Sequence, residues 1–222
     1  MAMSDATLLV PVRLTLELAF VSTAVLLAIG TPLAWWLART RSALRPAVEA
    51  LVTLPLVLPP TVLGFYLLLF LGPRGPLAWL DLQLVFSFAG LVVGSVLFSA
   101  PFVVNPLKDA FESVPEGQLE SAATLGASPS DRFRSVVVPL AAPSFVTAAV
   151  LGFAHTVGEF GVVLMIGGNI PGETQVLSIA IYDRVEQLDY ATAHAYAAGL
   201  VLFSFAALAV VAWARRRARV PA

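Results

Sequence analysis

A histidine and a glutamate stand four residues apart in an otherwise apolar stretch, at His155 and Glu159. Residues four apart lie on one face of a helix, which is the spacing of an acid–base pair or of two metal ligands. One histidine and one glutamate leave a metal ion short of ligands. The other histidine, His194, lies far along the chain. We therefore expect no metal site and keep an enzyme only as a rival hypothesis.

Composition excludes several other kinds of chemistry. The chain has no cysteine, which excludes disulfides and thiolate metal sites. Its one lysine, Lys108, does not lie in the Gly-Lys-Ser/Thr pattern that a P-loop needs. The net charge of -1 provides no basic field for nucleic acid. We therefore expect no ATP site, no cofactor and no nucleic-acid partner.

The apolar residues fall into long runs without charge. They make up 59% of the 222 residues, and charged residues make up 12%, about half the usual share of a soluble domain. Five runs lack Asp, Glu, Lys and Arg: 18–38, 50–73, 82–107, 135–158 and 190–214. Each has at least the roughly 20 residues that cross a bilayer, which predicts five membrane spans. A shorter stretch, 160–172, is expected to finish the fourth helix and enter a loop.

Basic residues indicate the orientation, because cytoplasmic loops are enriched in Lys and Arg. The segments after the first and third runs, together with the C-terminal tail, hold most of them: Arg39, Arg41, Arg45, Lys108, Arg132, Arg134, Arg215, Arg216, Arg217 and Arg219. The opposite side holds Arg13, Arg74 and Arg184. The pattern predicts an external N-terminus and a cytoplasmic C-terminus.

Prolines inside the runs predict a bundle of kinked helices with a moving or solvated interior, although inert packing kinks would give the same pattern. Hydroxyls in the runs are expected to line a path, unless they bond to the carbonyls of their own helices: Thr61, Ser95, Ser99 and Thr156. An acid at membrane depth is costly and usually functional. We expect Glu159 to shape an external gate through hydrogen bonding, with a solvated interfacial position as the alternative.

The segment 108–134 has the signals of two helices joined by a glycine turn. A helix is predicted over Glu116–Leu125, and Gly126 can end it in the left-handed cap position. Ser128 is placed to cap a second helix, with Asp131 as its acidic partner three residues on. Two short helices on the cytoplasmic side would form a docking surface for a partner.

The same segment resembles the conserved loop of the permease subunits of ABC importers. The matching residues are Glu120-Ser-Ala-Ala-Thr-Leu-Gly126, followed by Val136-Val-Val138-Pro139. The family pattern has Glu-Ala-Ala, a glycine six residues after the Glu, and a proline thirteen residues after the glycine. Both spacings are kept, while Ser121 replaces the first alanine and valines replace Ile and Leu.

Further segments resemble the molybdate branch of that family. They are Leu54-Pro-Leu-Val-Leu-Pro-Pro-Thr-Val-Leu-Gly-Phe-Tyr66, the stretch from Gly158 to Gly172, and Thr174-Gln-Val-Leu-Ser-Ile-Ala-Ile-Tyr182. Sulfate and tungstate permeases share much of this resemblance and stay open as alternatives. The resemblance covers about residues 10–215. A passive channel is the remaining rival, but it would have no need of a structured cytoplasmic loop.

The resemblance implies an all-α membrane protein with the type I importer permease fold and five spans. It implies a transmembrane domain over 10–215, with a coupling loop at about 108–134, and a basic cytoplasmic tail at 216–222. The implied assembly is a homodimer with two cytoplasmic ATPase subunits, fed by an extracytoplasmic binding protein. The resemblance also implies that the chain contacts membrane lipid. Its implied location is a bacterial or archaeal plasma membrane, which is the inner membrane in a Gram-negative cell.

The resemblance also assigns roles to residues, with no catalytic residue among them. The coupling residues are Glu120, Ala122, Ala123, Gly126 and Pro139. In this assignment Glu120 makes polar contact with the ATPase, the two alanines form the close-packed face and Gly126 supplies the turn. The candidates for the pathway or gate, among them Thr61 and Glu159 from the arguments above, are Pro59, Pro60, Thr61, Gly158, Glu159, Phe160 and Gly161.

Overall fold

A computed structural model describes residues 5–76, 78–80 and 84–218 of the chain. In these ranges the chain is helical, as predicted. The α-helices are α1 Asp5–Arg39, α2 Arg45–Thr53, α3 Pro60–Leu71, α4 Phe88–Glu112, α5 Glu116–Thr124, α6 Pro129–Arg132, α7 Val138–Gly158, α8 Gly161–Gly167, α9 Leu177–Glu186 and α10 Tyr190–Ala218. Tighter 3₁₀ turns lie at Leu54–Leu56 and Ala78–Leu80, and a wider π turn lies at Phe133–Val137.

Four helical segments are long and apolar enough to cross a membrane. They are Leu9–Arg39, Phe88–Glu112, Pro129–Gly158 and Tyr190–Trp213. They coincide with the first, third, fourth and fifth charge-free runs of the sequence. The backbone of the last helix extends to Ala218, and residues 219–222 of the predicted tail, Arg219 included, lie outside the described residues.

The second charge-free run is not one straight helix. Arg45–Leu56 and Pro60–Leu71 are bent by 114° relative to each other. Pro59 has an extended backbone, with φ -55° and ψ 135°. A residue before proline is disfavoured in the helical conformation, and Pro60 has no N–H to continue the helix. Counting the bent pair as one span gives the five predicted spans.

The stretch after α7 is also more irregular than expected. The expectation that residues 160–172 finish the fourth helix is wrong. The helix ends at Gly158, Glu159 is extended with φ -69° and ψ 134°, and a separate helix α8 begins at Gly161. The break lies where Gly158 and Gly161 interrupt the apolar residues, since glycine disfavours a continuous helix.

Helices α1, α4 and α7 pack together as the centre of the fold, with α10 against α7 and α9 and with α8 against α3 and α4. One buried cluster lies toward the cytoplasmic ends and includes Leu37, Leu107, Phe111 and Val137. A second buried cluster joins α1, α4, α8 and α9: Leu18, Leu91, Val163 and Ile179. The first cluster supports the cytoplasmic loop, and the second supports the break after α7.

Candidate functional site: a cytoplasmic loop and a broken span

The loop that the charge pattern predicts to be cytoplasmic begins with a helix that is capped at its C-terminal end. Helix α5 starts after Pro115, whose ψ of 130° ends the preceding turn, and Glu116 in its first turn complements the helix dipole. At its other end Gly126 has φ +86°, the left-handed conformation predicted for it. Gly126 N donates to Ala123 O at 2.9 Å, and Ala127 N donates to Ala122 O at 3.0 Å. These two bonds form a Schellman cap, which fixes the direction in which the chain leaves α5.

The second helix of the loop has the predicted capping box. Ser128 Oγ accepts from Asp131 N at 3.2 Å, and Ser128 N donates to Asp131 Oδ2 at 3.3 Å. Reciprocal bonds of this kind satisfy donors that the first turn of a helix leaves free. The π turn at Phe133–Val137 then leads directly into α7. Caps and turns therefore define the path of the whole loop through contacts between near neighbours.

The outer surface of α5 is accessible. Glu120 and Ala123 are exposed, Ala122 is half-buried, and Leu125 is 88% exposed. A groove of about 650 Å³ separates α5 from the start of α7, and it is lined by Pro115, Gly117, Gln118, Ser121, Ser135, Val136, Pro139 and Leu140. The structure thus places Pro139 opposite α5. Leu125, at the C-cap of α5, was not among the residues singled out from the sequence.

At the break after α7 a carboxylate is buried. Glu159 is only 4% exposed, and within the described part of the chain neither carboxylate oxygen has a hydrogen-bond partner. The Ser95 hydroxyl of α4 faces the same carboxylate but makes no hydrogen bond of good geometry with it. The backbone is held instead, because Ser178 Oγ donates to Glu159 O. The hydrogen bonding expected of the Glu159 side chain is therefore not found in the described residues, and the alternative of a solvated position is wrong as well.

His155 lies in an aromatic and hydroxyl environment. Its ring stacks on Phe102 with centroids 3.9 Å apart, and its Nδ1 is 2.9 Å from Ser99 Oγ. Ser99 Oγ is 3.1 Å from Thr156 Oγ1. Ser99 and Thr156 are buried and bond across the α4–α7 contact, not to carbonyls of their own helices. In the described ranges no three His, Asp or Glu side chains are grouped to hold a metal ion.

Helix α8 approaches its neighbours closely through glycines. A Cβ atom added at Gly161 would lie 2.7 Å from Pro60 Cβ and 3.2 Å from Thr61 N. One at Gly94 of α4 would lie 2.7 Å from Ile166 Cδ1. Real Cβ atoms do not make contacts as short as these two carbon–carbon distances. The structure therefore brings together three residues predicted from sequence to lie on the pathway, Pro60, Thr61 and Gly161.

Comparison with known proteins assigns the chain to a family. A model of binding-protein-dependent transport system inner membrane components matches residues 30–220. The chain belongs to this family. As an inner membrane component it is a permease subunit of an ABC system and not itself an enzyme, and its location is the plasma membrane. Dependence on a binding protein and membership of the ABC class imply a binding protein and an ATPase as partners.

Two curated relatives illustrate the range of the family. The molybdenum transport system permease protein ModB of Azotobacter vinelandii is 60% identical over 213 residues, which cover 94% of each chain. The sulfate transport system permease protein CysT of Escherichia coli (strain K12) is 34% identical over 196 residues, or 86% of this chain and 71% of that protein.

Solved structures show the same fold. A chain of the inward-facing MetNI methionine ABC transporter aligns with a TM-score of 0.73 and 23% identity, over 98% of both chains. A chain of a bacterial ABC transporter that imports alginate also has a TM-score of 0.73, with 22% identity over 98% of this chain and 80% of that one. The fold of this permease subunit is therefore that of ABC importers.

The loop between α8 and α9 is held by buried threonines, an arrangement that the sequence did not predict. Thr174 is fully buried, donates from Oγ1 to Gly167 O at 2.7 Å and accepts from Ile170 N at 3.2 Å. Leu177, the first residue of α9, donates from N to Thr15 Oγ1 of α1 at 2.7 Å. The buried threonines thus connect the loop to the fold, and an isolated threonine in a polar loop gives no signal of this in the sequence.

A polar cluster joins the loop between α8 and α9 to α9 itself. Asn169 Nδ2 donates to Asp183 Oδ1 at 2.6 Å, and Gln175 Nε2 donates to Asp183 Oδ2 at 2.7 Å. At the start of α10, hydrogen bonds from Thr192 hold the pKa of Asp189 below its usual value, with a smaller contribution from the charge of Arg184. These contacts order the loops on the side of the membrane opposite to α5.

Phe160, the remaining residue of the break, contacts α9. Its ring lies 5.3 Å from the Tyr182 ring, centroid to centroid. With Ser178 bonded to Glu159 O, this contact makes α9 a support for the extended segment between α7 and α8. The predicted gate residues thus lie at two breaks, the bend before α3 and the segment between α7 and α8, which meet where Gly161 approaches Pro60 and Thr61. The predicted coupling residues lie apart from them, on α5, on the turn after it and, for Pro139, at the start of α7.

Proposed function

We propose that this chain is the permease of an ATP-driven oxyanion importer and that molybdate is its principal substrate. The observation that carries the proposal is the 60% identity, over 94% of both chains, to a molybdenum transport permease. Sulfate permeases are less similar, at 34% identity for the relative from Escherichia coli. Sulfate and tungstate remain alternative substrates, because oxyanions of like charge and tetrahedral shape present similar hydrogen-bond acceptors.

The proposed assembly is a homodimer of this chain with two ATPase subunits and an extracytoplasmic binding protein. Five spans make a thin wall for a pathway, and a two-fold dimer would surround a central axis with twice as many helices. The motor is placed in a separate subunit because the one lysine, Lys108, pairs with Glu49 at the cytoplasmic end of α4 and no P-loop pattern surrounds it.

In this proposal α5 is the coupling helix. Its exposed face, with Glu120, Ala123 and Leu125, would enter a cleft of the ATPase, while Ala122 packs closely and Gly126 sets the turn. Exposure of Glu120, Ala123 and Leu125 supports the assignment, since a docking face has to be accessible to the partner. Closure of the ATPases would then move α5 and rock the spans between inward and outward states.

The gate is proposed to lie at the breaks of the second and fourth spans, where Pro59, Pro60 and Thr61 meet the segment Gly158 to Gly161. Broken helices at membrane depth persist where they are covered by protein or line a cavity. No Lys or Arg lies inside the charge-free runs. The path would therefore offer hydroxyl and backbone N–H donors without a fixed cation, which favours release of the anion.

The two rivals from other classes fit less well. An intramembrane enzyme would need more than His155, whose ring is stacked on Phe102 and bonded to Ser99. A passive channel would have no use for a capped and exposed cytoplasmic helix. The chain's place in a binding-protein-dependent family favours active transport over both.

The test is ATP-dependent uptake of labelled molybdate by proteoliposomes that contain this chain, its ATPase and its binding protein. We expect uptake that persists in excess sulfate and falls in excess tungstate. Uptake abolished by sulfate would assign the chain to the sulfate branch with the mechanism intact. An assembled complex that takes up no oxyanion would contradict the proposed substrate class.

A further inference from the structure

The last residue of α1 holds the junction between α4 and α5. Arg39 donates from Nη2 to Phe111 O at 2.8 Å and to Val114 O at 3.1 Å. Both carbonyls lie where α4 ends, and carbonyls at helix ends lack partners within the helix. Hydrogen bonds from a charged donor are about twice as strong as neutral ones. One guanidinium therefore fixes the entry of the cytoplasmic loop to α1.

One turn earlier, Trp35 contacts both ends of the same loop. Its ring meets Phe111 edge-on at 5.6 Å on the entry side and Phe133 at 5.2 Å on the exit side. The Arg39 guanidinium lies 5.2 Å from the Trp35 ring, within the range of a cation–π interaction. Arg39 thus contacts the loop where the chain enters it, and Trp35 contacts it both where the chain enters and where the chain leaves.

The opposite end of α1 contacts the region of the gate. Leu18 packs in a buried cluster with Val163 of α8, and Thr15 accepts a hydrogen bond from Leu177 N of α9 at 2.7 Å. The helix is continuous over 35 residues from Asp5 to Arg39. At 1.5 Å per residue, Thr15 and Arg39 are about 36 Å apart along it. One continuous helix, with Pro11 and Pro32 inside it, therefore joins the cytoplasmic loop to α8 and α9.

We infer that Arg39 and Trp35 form a clamp that makes α1 move with the coupling loop and passes that movement to the α8–α9 region. The inference rests on the proposed function, in which α5 is moved by an ATPase. Arg39 is a positioning residue in this scheme, since it acts through the backbone of the α4–α5 junction. Without the clamp, α5 could shift while α1 remained behind.

The nearby ion pairs do not supply the same link. Arg39 Nη1 is 4.0 Å from Glu116 Oε1, and the glutamate is 81% exposed, so this pair is weak. The Arg45–Glu112 pair, at 2.5 Å, connects α2 to α4 and does not involve α1. The two carbonyl bonds and the aromatic contacts are therefore the features to remove in a test.

The test compares Arg39→Met, Arg39→Lys and the control Arg41→Met in the complete complex with its ATPase and binding protein. Arg41 lies two residues further on, and its side chain is exposed. The measured quantity is molybdate taken up per ATP hydrolysed, which does not depend on how much complex assembles. We expect roughly a tenfold lower ratio for Arg39→Met, from the loss of hydrogen bonds to a charged group. The ratio for Arg39→Lys is expected to lie between those of Arg39→Met and the unmodified chain. A lysine ammonium keeps the charge but cannot donate in the planar, forked geometry of the arginine guanidinium.

A second readout is independent of the transported anion. The binding protein acts outside and the ATPase inside, so stimulation of ATP hydrolysis by the binding protein also requires a signal across the membrane. We expect Arg39→Met to keep basal hydrolysis and lose most of the stimulation, while Arg41→Met keeps both. If the unmodified complex shows stimulation but transports no oxyanion, the proposed substrate fails, and this readout alone decides about the clamp.

Two results would overturn the inference. The first is an uptake ratio and a stimulation in both Arg39 variants equal to those of Arg41→Met. The second is a failure of both Arg39 variants to assemble under conditions where Arg41→Met assembles, which would show that Arg39 serves the folding of the complex and not the transmission of movement.

Discussion

The cytoplasmic loop and the break after α7 are held in place in opposite ways. The loop is exposed, and bonds between residues three to five apart shape it, such as those of Gly126 with Ala123 and of Ser128 with Asp131. The break is buried, and residues distant in sequence hold it, such as Pro60 against Gly161 and Ser178 against Glu159. Changes in the loop should therefore alter coupling, and changes at the break should alter stability.

The largest effect is expected from Gly126→Pro in the loop. Proline fixes φ near -65° and has no N–H, so it can neither adopt φ +86° nor donate to Ala123 O. The exit from α5 would be redirected, and we expect more than a tenfold loss of uptake per ATP, since a misplacement of about 1 Å can reduce a rate a hundredfold. The measurement is the uptake ratio in proteoliposomes, with the amount of inserted protein checked by detergent extraction.

The matched control at this position is Gly126→Asn. Asparagine adopts left-handed backbone conformations more readily than other residues with a side chain, and no atom lies within 4 Å of the added Cβ. We expect coupling to remain close to that of the unmodified chain. Normal coupling in Gly126→Pro would exclude the coupling-helix assignment, whereas equal loss in both variants would indicate a direct contact of the glycine with the ATPase.

The same contrast explains what could be predicted from sequence. The helix over Glu116–Thr124, the turn at Gly126 and the cap at Ser128 follow from local signals, and all are present. The separate helix α8 was not predicted, because its seven residues are determined by close contacts with α3 and α4 and not by their own pattern. The prolines before α3 predicted a bend in the second span, but its angle of 114° depends on how α3 packs against α4 and α8.

The placement of residues in the break was predictable only in part. The prolines, glycines and Glu159 were expected at a gate because acids and helix breakers are unusual in apolar runs. The burial of Glu159 beneath α4 and α9 was not predictable, since depth depends on which helices pair. The link from Arg39 to the loop likewise joins residues more than 70 apart in sequence, a distance at which no local pattern operates.

At the break we expect Gly161→Ala to reduce stability. The added Cβ would lie 2.7 Å from Pro60 Cβ, so helix α8 or the start of α3 has to shift. Overpacking of this kind costs about 1–3 kcal/mol, which should lower the melting temperature of the purified complex. The control is Gly199→Ala in α10, where no atom lies within 4 Å of the new Cβ. Equal melting temperatures for the two variants would contradict the close packing of α3 and α8.

A smaller effect is expected from Ser128→Ala in the loop. This change removes the acceptor for Asp131 N and one half of the capping box. Loss of an N-cap costs about 1 kcal/mol, and here it falls on a helix of four residues that continues into α7. We expect a modest fall in uptake per ATP and no change in melting temperature beyond a few degrees. Ser128→Thr keeps the hydroxyl that accepts from Asp131 N and donates to Asp131 Oδ2, and it should retain coupling; equal loss in both variants would argue against a capping role.

The smallest effect is expected from Glu159→Gln. Neither carboxylate oxygen has a hydrogen-bond partner in the described residues, so the amide loses no ion pair and has nearly the same shape. If Glu159 shapes the gate without contacting the anion, uptake should stay within about twofold, since isosteric buried changes that break no bond are nearly neutral. Glu159→Leu removes the polar group facing Ser95 and should reduce uptake further. A loss of more than tenfold in Glu159→Gln would show that the negative charge itself is required, and the break would then be a site of charge chemistry as well as of packing.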